Sequence, residues 1–280
     1  MIVKRVVALF SLILTLSAFG QGTFGLGGKS AGMANASINN VDVWGLNHNV
    51  GTLGFLESFE VSGYYENKYL LKELNVSGLA AAYPTKFGTF GVQASTFGFD
   101  QYRHTEVGFG YSIKLAKFMS AGIKLNYLNY KFAFDYGSKH SFTAELGIMA
   151  KIKDKVAIGA HVYNLTRTKM NDYQNERIPT IVSLGVTYFV SDKINLTLEA
   201  EKDIDRKMSF KLGMDYQIHK IVALRIGTSS GPWLASMGIG LNFKGLHIDL
   251  ASSYHFQLGY SPQFSISYKL PKKVKPAAKE

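Results

Sequence analysis

Residues 194–217 read INLTLEAEKDIDRKMSFKLGMDYQ, and apolar residues occupy every second position on both sides of a short polar connection. In the first half, Leu196 and Leu198 share one face of a strand, while Thr197 and Glu199 share the other. The pattern recurs from Ser58 to Leu270 in stretches of about ten residues, as in outer-membrane strands. Such an antiparallel meander predicts a membrane β-barrel.

The connections between these stretches alternate in length. Tight turns, most of them with a lysine, are predicted at 85–88, 116–117, 153–155, 191–193, 219–220 and 244–245. Longer connections are predicted at 67–72, 100–103, 133–139, 166–179, 203–206, 229–232 and 257–261. These connections predict a fold that is all-β: a transmembrane, antiparallel, up-and-down β-barrel of about fourteen strands over residues 57–270. Short turns then face the periplasm and longer loops face outside.

The first twenty residues predict a cleaved signal peptide, because Lys4 and Arg5 precede an apolar run at 6–16 and small residues at Ala18 and Gly20. The mature protein is therefore expected in the outer membrane of a Gram-negative cell, in contact with its lipid. Residues 271–280 form a basic periplasmic tail, which is either a solvated end or a docking peptide.

Composition excludes several function classes. The chain has no cysteine, so a lipoprotein anchor, a disulfide framework and thiolate chemistry are excluded. Its net charge of +11 is not gathered on one helix or stripe, and we expect no nucleic-acid partner. No nucleophile motif or metal-ligand spacing occurs, so we expect neither enzymatic activity nor a metal or cofactor.

Charged residues of both signs fall on the inward face of the predicted strands. This predicted lumen set consists of Lys124, Glu145, Glu199, Glu201, Lys211, Asp215, Arg225 and Asp249. Mixed charges of this kind either cross-brace a narrow interior or line a selective ion path.

Residues 21–56 precede the first predicted strand and show no alternation. They are rich in glycine and asparagine, which favour turns and close backbone approach. We expect this segment to lie in the lumen as a small hatch or to remain in the periplasm.

The opening of this segment resembles the PorV/PorQ family. The similarity rests on GGKSAGMANAS at 27–37, VDVW at 41–44 and NHNVGTL at 47–53, which include the predicted hatch residues Ser30, Trp44, Asn47 and Asn49. Lys29 stands where the family has arginine, and the last motif lacks the family's proline. The resemblance implies a FadL-like barrel and, most directly, a protein-binding or structural subunit of type IX protein secretion.

Two other functions remain open. One is FadL-like transport of small hydrophobic molecules. It would require an apolar lumen pocket near residues 21–56, part of which could be supplied by Phe24, Leu26, Trp44, Leu53, Phe55 and Leu56. The other is an accessory barrel of the outer-membrane assembly machinery. If protein partners bind in a secretion or assembly complex, the candidate loop residues are Arg167, Lys169, Asp172, Tyr173, Glu176 and Arg177.

Overall fold

The computed structural model describes residues 24–133, 137–170 and 177–270. Two short α-helices occur in this part of the chain, α1 (Gly28–Gly32) and α2 (Gly45–His48). Turns of 3₁₀ helix cover Val50–Phe55, Lys68–Leu70 and Lys72–Leu74. The strands are β1 (Glu60–Asn67), β2 (Asn75–Thr85), β3 (Gly88–Phe99), β4 (Tyr102–Ala116), β5 (Met119–Phe132), β6 (Ser138–Ile152), β7 (Val156–Tyr163), β8 (Ile181–Ser191), β9 (Ile194–Asp203), β10 (Ser209–Gln217), β11 (Val222–Ser230), β12 (Trp233–Phe243), β13 (Leu246–His255) and β14 (Gly259–Lys269).

Each strand pairs antiparallel with its neighbour in sequence, and β1 pairs with β14 to close the sheet. At the closure Glu60 lies opposite Lys269, and Glu66 lies opposite Gln263. Closure removes the sheet edges, so backbone N–H and C=O groups are bonded without water. The predicted antiparallel up-and-down barrel of about fourteen strands is confirmed.

The two faces of the barrel differ as the alternation predicts. On β9, Leu196 and Leu198 are exposed on the outer surface, whereas Thr197 and Glu199 are buried in the lumen. The apolar outer face suits contact with lipid chains, and the inner face carries the polar and small residues. Among the described residues, no helix has the length and hydropathy needed to cross a membrane.

The connections divide the barrel into two ends. The six tight turns that join β2–β3, β4–β5, β6–β7, β8–β9, β10–β11 and β12–β13 lie at one end, here called the short-turn end. The opposite end, which carries the 164–180 connection, is called the long-loop end.

Three connections predicted to be long are tight, and one of them, between β13 and β14, has only residues 256–258. Only Asp100 and Gln101 separate β3 from β4, and only Gly231 and Pro232 separate β11 from β12. The prediction was wrong there because turn-forming residues mark where a chain reverses but not how far the strand pairing extends toward the turn. Pairing continues to the last residue of each strand, and two-residue hairpin loops are common.

The wall between β6 and β8 is closed partly by a loop. β7 has 8 residues and β6 has 15, so the half of β6 nearer the long-loop end pairs with β5 but has no strand on its β7 side. There the backbone N–H of Leu165 donates to the carbonyl of Ala144 (2.9 Å). Asn164 is buried and holds the loop: its Nδ2 donates to Ile178 O (2.8 Å), and its Oδ1 accepts from Thr168 N (3.1 Å).

Residues 24–56, which we call the hatch, pack inside the barrel toward the short-turn end. Close backbone approach requires glycine on the barrel wall. A Cβ on Gly147 would lie 2.2 Å from Asn49 Oδ1, and one on Gly227 would lie 2.2 Å from the carbonyl carbon of Met33. The hatch backbone is therefore fitted directly against the strands.

Candidate functional site

A cavity of ≈ 180 Å³, the outer cavity, lies in the lumen between the hatch and the long-loop end. Hatch residues Gly25, Asn35 and His48 line its floor, and Lys68 and Arg206 lie near its mouth. Cavities of about 150 Å³ hold a benzene molecule. The outer cavity is therefore large enough for one six-membered ring with small substituents.

One wall of the outer cavity carries a row of serines. Ser236 on β12 lies opposite Ser253 on β13, which lies opposite Ser261 on β14. Beside them, Gln263 Nε2 donates to Ser253 Oγ (3.0 Å) and to Glu66 Oε1 (3.2 Å). Ser236 Oγ and Gln263 Oε1 are buried and have no hydrogen-bond partner within the described ranges.

The serine row and Gln263 are not among the predicted site residues. Their signal in the sequence is the run of small polar residues at every second position of the last three strands, for example Ser261, Gln263 and Ser265. That run indicates an inward face of the strand. It contains no charged residue, so it was not singled out as a candidate site.

The opposite side of the outer cavity carries apolar side chains beside the polar His161 and Ser183. Tyr163 and Ile181 line it and pack with Leu128, Tyr130 and Ile178 in one buried cluster. This cluster lies behind the part of the wall that the 164–180 loop closes. The cavity thus has the serine row on one side and these apolar side chains on the other.

The first of three charge networks lies on β9 and β10. Lys211 Nζ lies 3.0 Å from Glu199 Oε1 and 2.6 Å from Glu201 Oε2. The other oxygen of Glu199 accepts the backbone N–H groups of Ser37 and Ile38, each at 3.0 Å. This network therefore anchors the hatch as well as bracing the wall.

A second network joins the hatch to β10, β11 and β13. Lys29 Nζ lies 3.2 Å from Asp215 Oδ2, and Arg225 bridges Asp215 (3.0 Å) and Asp249 (2.5 Å). The neighbouring Asp215 carboxylate raises the pKa of Lys29 above its ordinary value, so this hatch residue stays positively charged. The two cations and two carboxylates balance.

The third network is the most deeply buried. Lys124 Nζ lies 3.1 Å from Glu106 Oε1 and 3.2 Å from Glu145 Oε1. Glu145 also contacts His161 Nε2 at 2.9 Å and accepts from Asn126 Nδ2. Removing one partner from such a set leaves an uncompensated buried charge.

All eight predicted lumen residues fall in these networks. In each network a cation on one strand lies between two carboxylates on strands one or two places away, a geometry that braces the wall. The residues within the described ranges contain no group of three His, Asp or Glu side chains that could hold a metal ion.

The predicted hatch residues serve mainly to hold the hatch. Trp44 Nε1 donates to Ser62 Oγ (2.9 Å), and Asn47 Oδ1 accepts from Leu26 N (3.0 Å). Ser30 is buried, and its hydroxyl has no partner in the described part of the chain.

Asn49 ties the hatch to itself and to the wall. Its Nδ2 donates to Ile38 O (2.9 Å) and to Ile148 O (3.0 Å), and its Oδ1 accepts from Gly51 N (3.1 Å). With 0% of its surface exposed, Asn49 is a buried polar group whose amide is satisfied.

The predicted apolar lumen pocket was wrong. None of the residues assigned to it lines the outer cavity: Phe24, Leu26, Trp44, Leu53, Phe55 and Leu56. Most of them instead pack into a core between the hatch and the barrel wall, against Tyr64, Val76 and Ala80. Burying these side chains against the wall removes more apolar surface from water than lining a cavity would.

The candidate partner loop is described only in part. Arg177 Nη1 donates to Arg167 O (2.8 Å), and Lys169 pairs with Arg177 in an isolated β-bridge. Asp172, Tyr173 and Glu176 lie outside the described residues, as do the predicted signal peptide and basic tail.

A second cavity of ≈ 240 Å³, the inner cavity, lies on the other side of the hatch. Met33 and Asn39 line the inner cavity, whereas Ala34 and Asn35 line the outer one. Consecutive residues therefore face opposite cavities. Residues 33–40, which we call the partition, separate the two cavities by a single thickness of chain.

The partition is rich in polar atoms without partners. The buried atoms without a hydrogen bond in the described structure include Asn35 Oδ1, Ser37 Oγ, Asn39 Oδ1 and Asn40 Nδ2. Most buried polar groups in proteins are bonded, so a run of exceptions marks a place where water or a ligand can bind.

No protein-family model matches the sequence, and no curated protein matches it. The fold does match solved structures. The Ralstonia pickettii toluene transporter TbuX has a TM-score of 0.70 at 12% identity, covering 91% of this chain and 100% of that chain. The CymD monoaromatic hydrocarbon channel has a TM-score of 0.68 at 14% identity, covering 89% and 98%. A Pseudomonas aeruginosa FadL homologue has a TM-score of 0.63 at 13% identity, covering 88% and 98%. The chain thus has the fold of FadL-like outer-membrane barrels.

Proposed function

We propose that this chain is an outer-membrane channel for small molecules of hydrophobic character. The observation that carries the proposal is the pair of cavities on either side of a partition one chain thick, inside a closed barrel. Solved barrels with this fold include a toluene transporter and a monoaromatic hydrocarbon channel. The proposed function follows from this cavity arrangement together with the shared fold.

The geometry provides a stepwise route. A ligand from outside enters at the long-loop end and rests its apolar part against Tyr163 and Ile181. Passage to the inner cavity then requires the partition to move, because it is the barrier between the two spaces. The Glu199 bonds to Ser37 and Ile38 hold the partition in its closed position. The rest of the hatch stays in place against the barrel.

The protein-binding alternative stays a prediction from the sequence. Membership of the PorV/PorQ family and a role in type IX secretion or barrel assembly rest on the sequence resemblance alone. Two of the structural relatives named above are a monoaromatic hydrocarbon channel and a toluene transporter, so they support transport as the main proposal and a role other than catalysis.

The test is uptake of labelled toluene by a Gram-negative host that expresses the chain. We expect a faster initial rate than in cells with an empty vector. A Ser236→Trp variant should abolish the gain, because Ser236 lines the outer cavity and an indole ring there fills it. Ala235→Trp is the matched control, since Ala235 is the preceding residue of β12 and faces outward.

Equal uptake with and without the chain, at equal amounts of folded barrel, would refute the proposal. If uptake persists in Ser236→Trp, the transport route does not pass through the outer cavity.

A further inference from the structure

The outer cavity is lined by neutral hydrogen-bonding atoms that have no partner among the residues that the structure describes. Ser236 and Gln263 are each 7% exposed, and both flank Ser253. Ser236 Oγ can donate and accept, whereas Gln263 Oε1 can only accept. A single hydroxyl group, which both donates and accepts, complements this pair.

Charged groups at the cavity are already occupied. Lys211 is held by Glu199 and Glu201, and Arg206 lies 3.4 Å from Asp203. Lys207 lies exposed at the mouth, outside the buried part of the cavity. A charged ligand group would therefore lose its hydration near Ser236 without gaining an opposite charge.

Apolar side chains on the other side of the cavity favour an apolar body. Tyr163 and Ile181 lie there, and the volume of ≈ 180 Å³ limits that body to about one ring. A polyol would place hydroxyls against these apolar side chains and leave them unbonded.

Unbonded neutral groups continue along the direction of passage. Asn35 lines the outer cavity, and Asn39 and Asn40 line the inner one; each has a buried amide atom without a partner among the described residues. A hydroxyl that leaves Ser236 and Gln263 thus meets further neutral donors and acceptors at the partition.

We infer that the outer cavity binds an uncharged ligand with one hydroxyl group on a small apolar ring, in the manner of a phenol or a cyclic alcohol. The hydroxyl donates to Gln263 Oε1 and accepts from Ser236 Oγ, and the ring lies against Tyr163 and Ile181. This inference rests on the proposed transport function and narrows its substrate class.

The test is binding of four probes to the full chain in lipid nanodiscs: phenol, toluene, benzoate and inositol. Saturation-transfer NMR gives the affinities, with empty nanodiscs as the correction for partition into lipid. We expect phenol to bind at least about fivefold more tightly than toluene, the factor that one neutral hydrogen bond contributes. Benzoate and inositol should bind more weakly than phenol.

Ser236→Ala should lower the affinity for phenol about fivefold without lowering the affinity for toluene. Ser236→Thr keeps a hydroxyl and should keep the preference. Ser141→Ala is the matched control, because Ser141 is a buried serine of β6 that does not line the cavity. Heat-modifiable gel mobility shows that each variant is folded.

Equal binding of phenol and toluene, unchanged in Ser236→Ala, would overturn the inference. Tighter binding of benzoate or inositol would overturn it too. In either case, toluene uptake that is blocked by Ser236→Trp would still support the proposed transport function. The absence of both uptake and binding would refute the transport function and the inference about the ligand.

Discussion

Lys124→Met tests whether the buried charge network braces the barrel. Lys124 is 1% exposed, and its ammonium is the shared partner of Glu106 and Glu145 at 3.1 and 3.2 Å. The variant keeps the length of the side chain but leaves two carboxylates together in the lumen. Breaking a buried ion pair in this way typically costs about 3 to 5 kcal/mol.

Protonation sets an upper limit on that cost. One carboxyl can take up a proton instead of remaining charged, and for glutamate with an ordinary pKa of about 4.3 this costs about 3.7 kcal/mol at pH 7. The same step costs about 1 kcal/mol at pH 5, because each pH unit contributes about 1.4 kcal/mol. We therefore expect a loss of about 3 to 4 kcal/mol at neutral pH that shrinks by more than half at pH 5.

The assay is urea unfolding of the barrel in lipid vesicles, followed by tryptophan fluorescence at both pH values. Lys131→Met is the control, because Lys131 lies exposed on the same strand and should change the free energy of unfolding by less than about 0.5 kcal/mol. Glu106→Gln in the Lys124→Met background should restore part of the loss. A loss below about 1 kcal/mol at pH 7, or one independent of pH, would refute the bracing argument.

Three further predictions concern the hatch. Gly227→Ala should raise proteolytic cleavage of the hatch, because the new Cβ would meet the backbone of Met33 at 2.2 Å. Asp215→Asn should make Lys29 more reactive to an amine-acylating reagent at pH 9, read by mass spectrometry, because the carboxylate that raises the pKa of Lys29 is lost. Burial lowers the pKa of His48, so the folded state binds fewer protons than the unfolded state and the stability due to His48 falls as pH drops below about 6.5. The difference in unfolding free energy between the wild type and His48→Gln should therefore shrink from pH 7 to pH 5; a constant difference would contradict this.

The barrel itself could be predicted from the sequence because its rule is local. A strand such as β9 or β10 must place apolar residues outward at every second position, and the register follows from that alternation. Loop length does not follow the same rule. The tight hairpins at 100–101 and 231–232 form because pairing persists to the strand ends, and residue type alone does not determine this.

The candidate site was harder to predict because its residues come together only through closure of the sheet. Glu66 on β1 contacts Gln263 on β14, 197 residues further along the chain, because the first and last strands pair. Alternation placed the eight charged lumen residues on the inner face, but it could not show which of them would pair. It also gave no reason to prefer Ser236, whose interest arises from an unbonded hydroxyl in a cavity.

If the chain transports small molecules as proposed, the residues of its inner face determine which molecules pass, because the fold leaves that face free to vary. Lipid contact constrains the outward residues to be apolar, and hydrogen bonding constrains the backbone, but neither constrains what points into the lumen. Barrels that share 11 to 14% identity with this chain can therefore keep the same shape with different linings. In this chain a serine row lies across the cavity from the apolar side chains Tyr163 and Ile181, and a hydrocarbon would form no hydrogen bond with Ser236 or Gln263. The lining thus favours a substrate with a hydroxyl group over the hydrocarbons named for its structural relatives.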